Sequence, residues 1–280
     1  MPAPVAASMQ ELAAQHFRGL GITLPMDWSD PSSDEEKDQY SGAFAEGDRQ
    51  GHTPKPAGLF RAATTNKIHA DTADDISSKI RTYMDGVVAA ICSAWSTWQS
   101  AASMSGVVVA GPTASGGALT GPALKGLILA EAPQATPEEA RYSKAIASAI
   151  DTAWSAWVAS VKVPGLPWYP AFAAFPGPMA PPTPNIPAPV VALTQVATGL
   201  SMSALKGAMV GELGDSKAQH HAAIFESVAS AFDQSFVIWQ SSTMVTNVLG
   251  TGPIPTFAPP VVPVGPVVGG TGTMAPGGLV

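Results

Sequence analysis

The sequence predicts a mainly α protein, built from three diverged helix repeats that carry extended Pro/Gly-rich arms. Two observations predict this class. Apolar residues recur at helical spacing in three separate segments, and a tract rich in glycine and proline follows each segment. A unit that recurs in the same order along a chain is typical of a repeat architecture. We therefore expect three helices of equivalent role, with room for short strands in the tracts.

The three apolar stripes share one spacing, of 4, 4, 4 and 3 residues. This spacing places every member of a stripe on one face of a helix. The stripes are Tyr83, Val87, Ile91, Trp95 and Trp98; then Tyr142, Ile146, Ile150, Trp154 and Trp157; and then Ile224, Val228, Phe232, Phe236 and Trp239. We interpret them as core packing, because a packing unit is what repeats. The alternative is a platform of exposed tryptophan rings that binds glycans.

Six aromatic residues close these stripes, and we take them as the candidate residues for packing and assembly. They are Trp95, Trp98, Trp154, Trp157, Phe236 and Trp239. The helix starts also match, because a Ser or Thr precedes an acidic or amide side chain by three residues, as in a capping box. These pairs are Thr72 with Asp75, Thr136 with Glu139, and Ser216 with Gln219.

The glycine- and proline-rich tracts predict the arms. They cover residues 106–122, 164–189 and 250–280, and no charged residue occurs from Val163 to Leu205 or from Gly250 to Val280. Because proline removes a ladder donor, we expect the tracts not to form central strands. They are too apolar for ordinary flexible linkers, so we expect extended segments laid against apolar surfaces. Short strands within GVVVA, PVVAL or PVVPVGPVV can pair between repeats or subunits.

Composition narrows the function. Only 12% of the residues are charged and the net charge is -7, so the clustered Lys and Arg of a nucleic-acid binder are missing. A surface so poor in charge is typical of a protein that contacts partners. We find no apolar stretch of about 18 residues, so we expect no membrane insertion. The single cysteine, Cys92, lies in a helical pattern and is interpreted as a buried thiol.

The sequence contains no recognised motif of catalysis or metal binding, so we predict a protein that is not an enzyme and has no cofactor, catalytic residue or metal ligand. His220 and His221 are adjacent and would point in different directions on a helix, which disfavours a shared metal. Glu138 and Glu139 suit a helix start better than an acid/base pair. A hydrolase with a site of unfamiliar geometry stays an open alternative, because such sites are recognised by geometry.

The predicted boundaries follow the stripes and tracts. Residues 1–57 form an N-terminal helix and an acidic irregular segment, which carries seven acids from residue 28 onward. Repeat one covers residues 58–130, repeat two covers 131–210, and repeat three with its uncharged arm covers 211–280. The acidic SDEEKD run lacks the alternating carboxylates of a calcium loop, so we interpret this segment as solvated or partner-dependent.

The stretch ALKGLILAEAPQATPEEARYSKAIASAIDTAWSAW, followed by its Pro/Gly-rich segment, resembles Ala-rich repeat structural proteins of contractile-tailed bacteriophages and related contractile injection systems. The motif Ala-Leu-Lys-Gly that opens it at residues 123–126 recurs at residues 204–207. The resemblance implies a virion structural component of the tail, baseplate or neck, assembled in the host cytoplasm with copies of itself and other structural proteins. A capsid-surface or cement protein is the nearest alternative, and a glycan-binding module is the other.

Overall fold

The computed structural model describes residues 3–21, 57–215, 218, 220–260 and 263–280. Within these residues six α-helices accompany an antiparallel sheet of six strands. The fold is therefore mixed α/β, and the prediction of a mainly α protein is wrong. The helices are α1 (Ala6–Gly19), α2 (Ala57–Ala101), α3 (Leu124–Glu131), α4 (Pro137–Ser160), α5 (Met202–Leu213) and α6 (His221–Ser242).

The chain divides into two compact units. One unit comprises Met1–Phe17 with Tyr83–Val280, and the other comprises Arg18–Thr82. In the second unit Lys79 and Asp75 form an exposed ion pair of 2.6 Å, one turn apart on α2. Apart from Ala57, the predicted acidic irregular segment of residues 28–57 lies outside the described residues. The predicted repeat boundaries stay predictions, and everything below concerns the first unit.

Only one of the three predicted helix starts is confirmed. Thr136 Oγ1 accepts a hydrogen bond from the Glu139 amide at 3.1 Å, and Glu139 Oε2 accepts one from the Thr136 amide at 3.1 Å. This is a capping box at the start of α4. Thr72 does not stand at a helix start, because α2 already begins at Ala57. The pair Ser216 and Gln219 lies outside the described residues.

The helices of the first unit comprise long and short members. The stripe faces of α2, α4 and α6 meet one another around a common aromatic core. Each short helix lies against two long ones. Helix α3 contacts α2 through Glu131 and α4 through Asp151, and α5 packs against α4 and α6. Helix α1 contacts α2 through Gln10 and α6 through His16.

The sheet is built almost entirely from the tracts that were predicted to be arms. Its strands follow the order β3-β2-β1-β8-β7-β4. Strands β5 and β6 form a separate two-stranded sheet. All neighbours are antiparallel. The strands are β1 (Ser103–Ala110), β2 (Thr113–Thr120), β3 (Val163–Leu166), β4 (Met179–Thr183), β5 (Ala188–Pro189), β6 (Met244–Val245), β7 (Val248–Pro253) and β8 (Gly270–Met274).

The expectation that the tracts avoid central positions is wrong for their glycine-rich parts. The central strands β1 and β8 contain no proline, and β7 contains proline only at its last residue, Pro253. The two edge strands carry Pro164 in β3 and the pair Pro181 and Pro182 in β4. Glycine keeps its N–H for the ladder whereas proline has none, so the two residue types separate within the sheet.

Glycine in the central strands makes room for Tyr169. Gly250 and Gly272 are directly opposite each other in β7 and β8. A Cβ added to Gly250 would lie 2.6 Å from Tyr169 Cζ, and one on Gly272 would lie 3.1 Å from its hydroxyl oxygen. The hydroxyl donates to the Val248 carbonyl at 2.7 Å. An aromatic ring thus covers the bare backbone, which compensates for the missing side chains.

Candidate assembly surface

The six predicted packing and assembly residues lie in the interior of the first unit. Each of them is at most 2% exposed. Trp98, Trp157 and Trp239 form a triangle with ring centroids 5.8 to 6.4 Å apart. Trp95 and Trp154 contact each other at 5.0 Å in an edge-to-face arrangement. They hold the three long helices together, whereas their part in assembly stays a prediction.

Glutamine side chains satisfy the indoles on one side of this core. Trp239 Nε1 donates to Gln99 Oε1 at 2.9 Å, and Trp157 Nε1 donates to Gln195 Oε1. By contrast, the indole nitrogens of Trp95 and Trp154 are buried without a hydrogen-bond partner among the described residues. A sugar ring cannot stack on any of these covered rings. The six residues therefore do not provide the glycan platform considered from the sequence.

The outer face of the sheet is the strongest candidate for a contact surface, because its strands carry no charged residue. Lys162, directly before β3, adds one ammonium group, which donates to the Gly117 carbonyl of β2 at 2.8 Å. None of the six strands contains a Lys, Arg, Asp or Glu. Burial alternates along β1, β7 and β8, so every second side chain faces outward. The outward residues include Val108 at 50% exposure and Leu249 at 44%, with Thr271 and Thr273 between their strands.

An antiparallel sheet with one solvated face normally alternates apolar residues inside with polar residues outside. Here the outward positions hold Val, Leu, Met, Pro, Thr, Ser, Ala and Gly, none of which carries a charge that would lose its hydration on contact with another surface. Further large apolar side chains are exposed outside these strands, in parts of the chain that also lack charge: Ile186, Val191, Val196, Val264, Val268 and Val280. Sequence reasoning missed this face because it did not predict the sheet.

Both edges of the sheet disfavour pairing with a further strand. Pro164 at one edge and Pro181 and Pro182 at the other offer no N–H to an incoming chain. The register is also irregular at both edges, between Ala114 and Ser115 of β2 and between Ala180 and Thr183 of β4. Proline and bulges are known devices that protect sheet edges. A partner would therefore contact the face of the sheet and not extend it.

A second apolar feature lies between α1 and α6. It is a cavity of about 250 Å³. Its lining is mostly apolar, with Trp239 from α6 and Met9 from α1, and two serines contribute polar atoms: Ala3, Pro4, Val5, Ser8, Met9, Leu12, Ser235, Ile238 and Trp239. Val5 and Ile238 also expose 63% and 57% of their surface to solvent. The cavity holds no pair of acid and base groups.

The lysines of the two Ala-Leu-Lys-Gly motifs differ in their surroundings. Lys206 Nζ donates to Glu226 Oε2, and His16 Nε2 lies 3.3 Å from Glu226 Oε1. Lys206 lowers the pKa of Glu226 most strongly, and the hydrogen bond from His16 lowers it further. For Lys125, the backbone amide donates to Asp151 Oδ1 at 3.1 Å. The cluster of Lys206, Glu226 and His16 joins α5, α6 and α1, and we interpret it as structural.

The described part of the chain offers little for metal or acid/base chemistry. In the ranges that the structure describes, no three His, Cys, Asp or Glu side chains are grouped closely enough to hold a metal ion. His220 precedes α6 with a left-handed backbone of φ 57°. His221 is the first residue of α6, and its Nδ1 lies 2.6 Å from the Ala218 carbonyl oxygen. Among the described helices, none combines the length and apolarity needed to cross a membrane.

Comparison with protein-family models, with curated proteins and with solved structures found no match to this chain.

Proposed function

We propose that this protein is a non-enzymatic structural component of a phage-like particle, in its tail, baseplate or neck. It contacts copies of itself and other structural proteins of the particle. The observation that supports this proposal best is the outer face of the six-stranded sheet, whose strands carry no charged residue. The resemblance of residues 123–205 to phage and injection-system proteins supplies the kind of assembly.

A sheet face without charged residues favours association over a protein that stays monomeric. Charged side chains keep surfaces hydrated and prevent association, and proteins usually place Lys on exposed sheets for that reason. This chain has 14 basic residues, and none of them lies in the six strands. A surface of small and β-branched residues buries easily against a matching surface. Each square ångström of apolar area buried contributes about 25 cal/mol.

A capsid-surface or cement protein would use the same face, so it stays the nearest alternative. The glycan-binding alternative loses its support at the six stripe residues, because their rings are covered. The prolines at the sheet edges favour a defined contact over open-ended strand addition. A defined contact suits a particle of fixed symmetry, in which each copy meets its neighbours through the same surfaces.

The test introduces charge on the outer face. In the variant Val108→Lys/Leu249→Lys two outward positions on β1 and β7 become cationic, with β8 between them. The matched control is Ser96→Lys/Ser155→Lys, which adds the same charge at exposed helical positions of α2 and α4. Mass is measured by light scattering over a range of concentrations, and unfolding in urea checks that each variant folds.

We expect the unmodified protein and the helix control to form oligomers of defined mass, and the sheet variant to stay monomeric at the same concentrations. Limited proteolysis should leave residues 164–189 and 250–280 uncut in all three proteins, because strands of the folded unit run through these tracts. An unmodified protein that is monomeric at every concentration, or a sheet variant that assembles as well as the control, would contradict the proposal.

A further inference from the structure

Helix α1 differs from its two short counterparts in what contacts its first turn. A carboxylate accepts from the first backbone amides of each of the others: Asp151 Oδ1 accepts from the Leu124 amide of α3 at 2.7 Å, and Asp233 Oδ2 accepts from the Met202 amide of α5 at 3.0 Å. Asp151 and Asp233 hold matching positions relative to the stripes of α4 and α6. A carboxylate at a helix N-terminus is charge-assisted and stabilising.

The matching position on α2 is Cys92, and it contacts α1. Its thiol points to Met9 Sδ, with the two sulfur atoms 3.5 Å apart. Burial raises the pKa of Cys92 to about 12, so the group is a neutral thiol at physiological pH. A neutral thiol is a weak donor and cannot give the charge-assisted hydrogen bonds that Asp151 and Asp233 provide. The α1 groove thus has a thiol at the position where each of the other two grooves has a carboxylate that accepts a hydrogen bond from the start of the short helix.

The apolar contacts of α1 are also smaller. Helix α3 buries Leu124 and Ile128, and α5 buries Leu205, Met209 and Leu213, whereas α1 buries Met9 and two alanines, Ala13 and Ala14. Apart from Met9, the buried side chains of α1 are therefore methyl groups, whereas the other two helices bury larger ones. A smaller buried area reduces the free energy that holds a helix.

The connections of the three short helices differ in length. Five residues, 132–136, join α3 to α4, and seven residues, 214–220, join α5 to α6. Between α1 and α2 lie 37 residues, 20–56. A chain of that length reaches at most about 120 Å, at 3.3 Å for each residue, whereas five residues reach less than about 20 Å. Only the α1 connection of these three is long enough to extend to the groove of another copy.

We propose that α1 is an exchangeable element, which leaves the groove between α2 and α6 of its own copy and docks in the same groove of a neighbouring copy. The occupant of the groove is then the α1 helix of a second copy, and its contacts are the ones seen here. Exchange conserves these contacts, so it costs little once copies lie side by side. The inference rests on the proposed function, because assembly is what brings the copies together.

The test uses mixed single-cysteine proteins in a Cys92→Ala background. One carries His16→Cys with an affinity tag, and the other carries Glu226→Cys. These positions face each other across the α1 groove, with the side-chain atoms 3.3 Å apart. Loss of this contact weakens docking within and between copies alike. The mixture is incubated at a series of concentrations and treated with a bifunctional thiol-reactive reagent about as long as the two side chains that cysteine replaces, and the linked heterodimer is counted by mass. A spacer is needed because the 3.3 Å contact joins the tips of His16 and Glu226, whereas a disulfide needs Cα atoms about 4.4–6.8 Å apart. The reagent links only docked pairs, so a passing contact gives little product.

The matched control mixes Ser93→Cys with Glu131→Cys in the same background. Their side chains are 2.9 Å apart across the α3 groove, and the short connection of α3 prevents exchange. We expect at least ten times more heterodimer from the α1 pair than from the control pair, rising with concentration. Equal yields at every concentration would overturn the exchange. If the protein then still assembles by light scattering, the proposed function stands; if it also stays monomeric, both fail.

Discussion

The same substitution, glycine to alanine, should have opposite effects at two positions of this protein. Gly207 lies inside α5, and a Cβ added there has no atom within 4 Å. Gly250 lies in β7, and a Cβ added there meets three atoms of the Tyr169 ring at 2.6, 2.8 and 3.0 Å. Neither glycine has a positive φ, so alanine fits both backbones. The atoms around each added Cβ therefore decide whether the substitution raises or lowers the free energy of unfolding.

The magnitudes follow from these surroundings. Alanine in an exposed helix interior should stabilise the protein by about 0.5–1 kcal/mol, because it loses less backbone entropy on folding. At position 250 the Tyr169 ring would have to move away, but it stacks on Phe172 at a centroid distance of 5.2 Å, and its hydroxyl is tied to the Val248 carbonyl. Overpacking of a fixed core costs about 1–3 kcal/mol, and we expect the upper half of this range.

The assay is unfolding in urea, with the midpoint read by tryptophan fluorescence and the slope compared among variants. Gly207→Ala should raise the midpoint and Gly250→Ala should lower it, at unchanged slope. A double-mutant cycle adds Tyr169→Ala, which removes the ring. The double variant should then be more stable than the sum of the two single losses predicts, by about 1–3 kcal/mol. A Gly250→Ala protein as stable as the original, or a strictly additive cycle, would refute the role of Tyr169.

Three further outcomes are expected. Trp154→Ala should lower the free energy of unfolding by about 3–5 kcal/mol, since six aromatic rings contact Trp154, and a loss below about 1 kcal/mol in urea would contradict a tight core. Asp151→Ala should cost about 0.5–2 kcal/mol and speed amide exchange at the start of α3, whereas Asp151→Asn should recover most of the loss. The pKa of Glu226 is lowered mainly by Lys206, so their ion pair stabilises the protein at pH values above the ordinary glutamate pKa of about 4.3 and is lost as the pH falls below that value. The melting temperatures of the original protein and of Glu226→Gln should therefore approach each other between about pH 5 and pH 3.

The helical core could be predicted from the sequence because its signal is local. A stripe at spacings of 3 and 4 defines a helix face without knowledge of any partner. Three such stripes ending in Trp98, Trp157 and Trp239 lead to one shared core, and these rings lie within 6.4 Å of one another. The capping box of Thr136 and Glu139 is equally local and was found for the same reason.

The sheet could not be predicted because its determinants are distant in sequence. Gly250 fits a central strand only because Tyr169 covers it, and 81 residues separate the two. Glycine in a strand is unfavourable when judged locally, through its entropy and missing side chain. Composition also does not separate glycine from proline, although only proline lacks the ladder donor. Pro181 and Gly252 lie in adjacent strands, one at the edge and one inside.

The corrected fold changes which parts of the protein can exchange between copies. Strands β7 and β8 cannot leave without breaking their ladders with β1 and with β4. That would also expose the glycine backbone that Tyr169 covers, and buried backbone groups left without partners are costly. Helix α1 satisfies its own backbone and needs only one groove. The tracts predicted to be arms are thus fixed parts of the unit. The element that can exchange between copies is instead helix α1, near the other end of the chain.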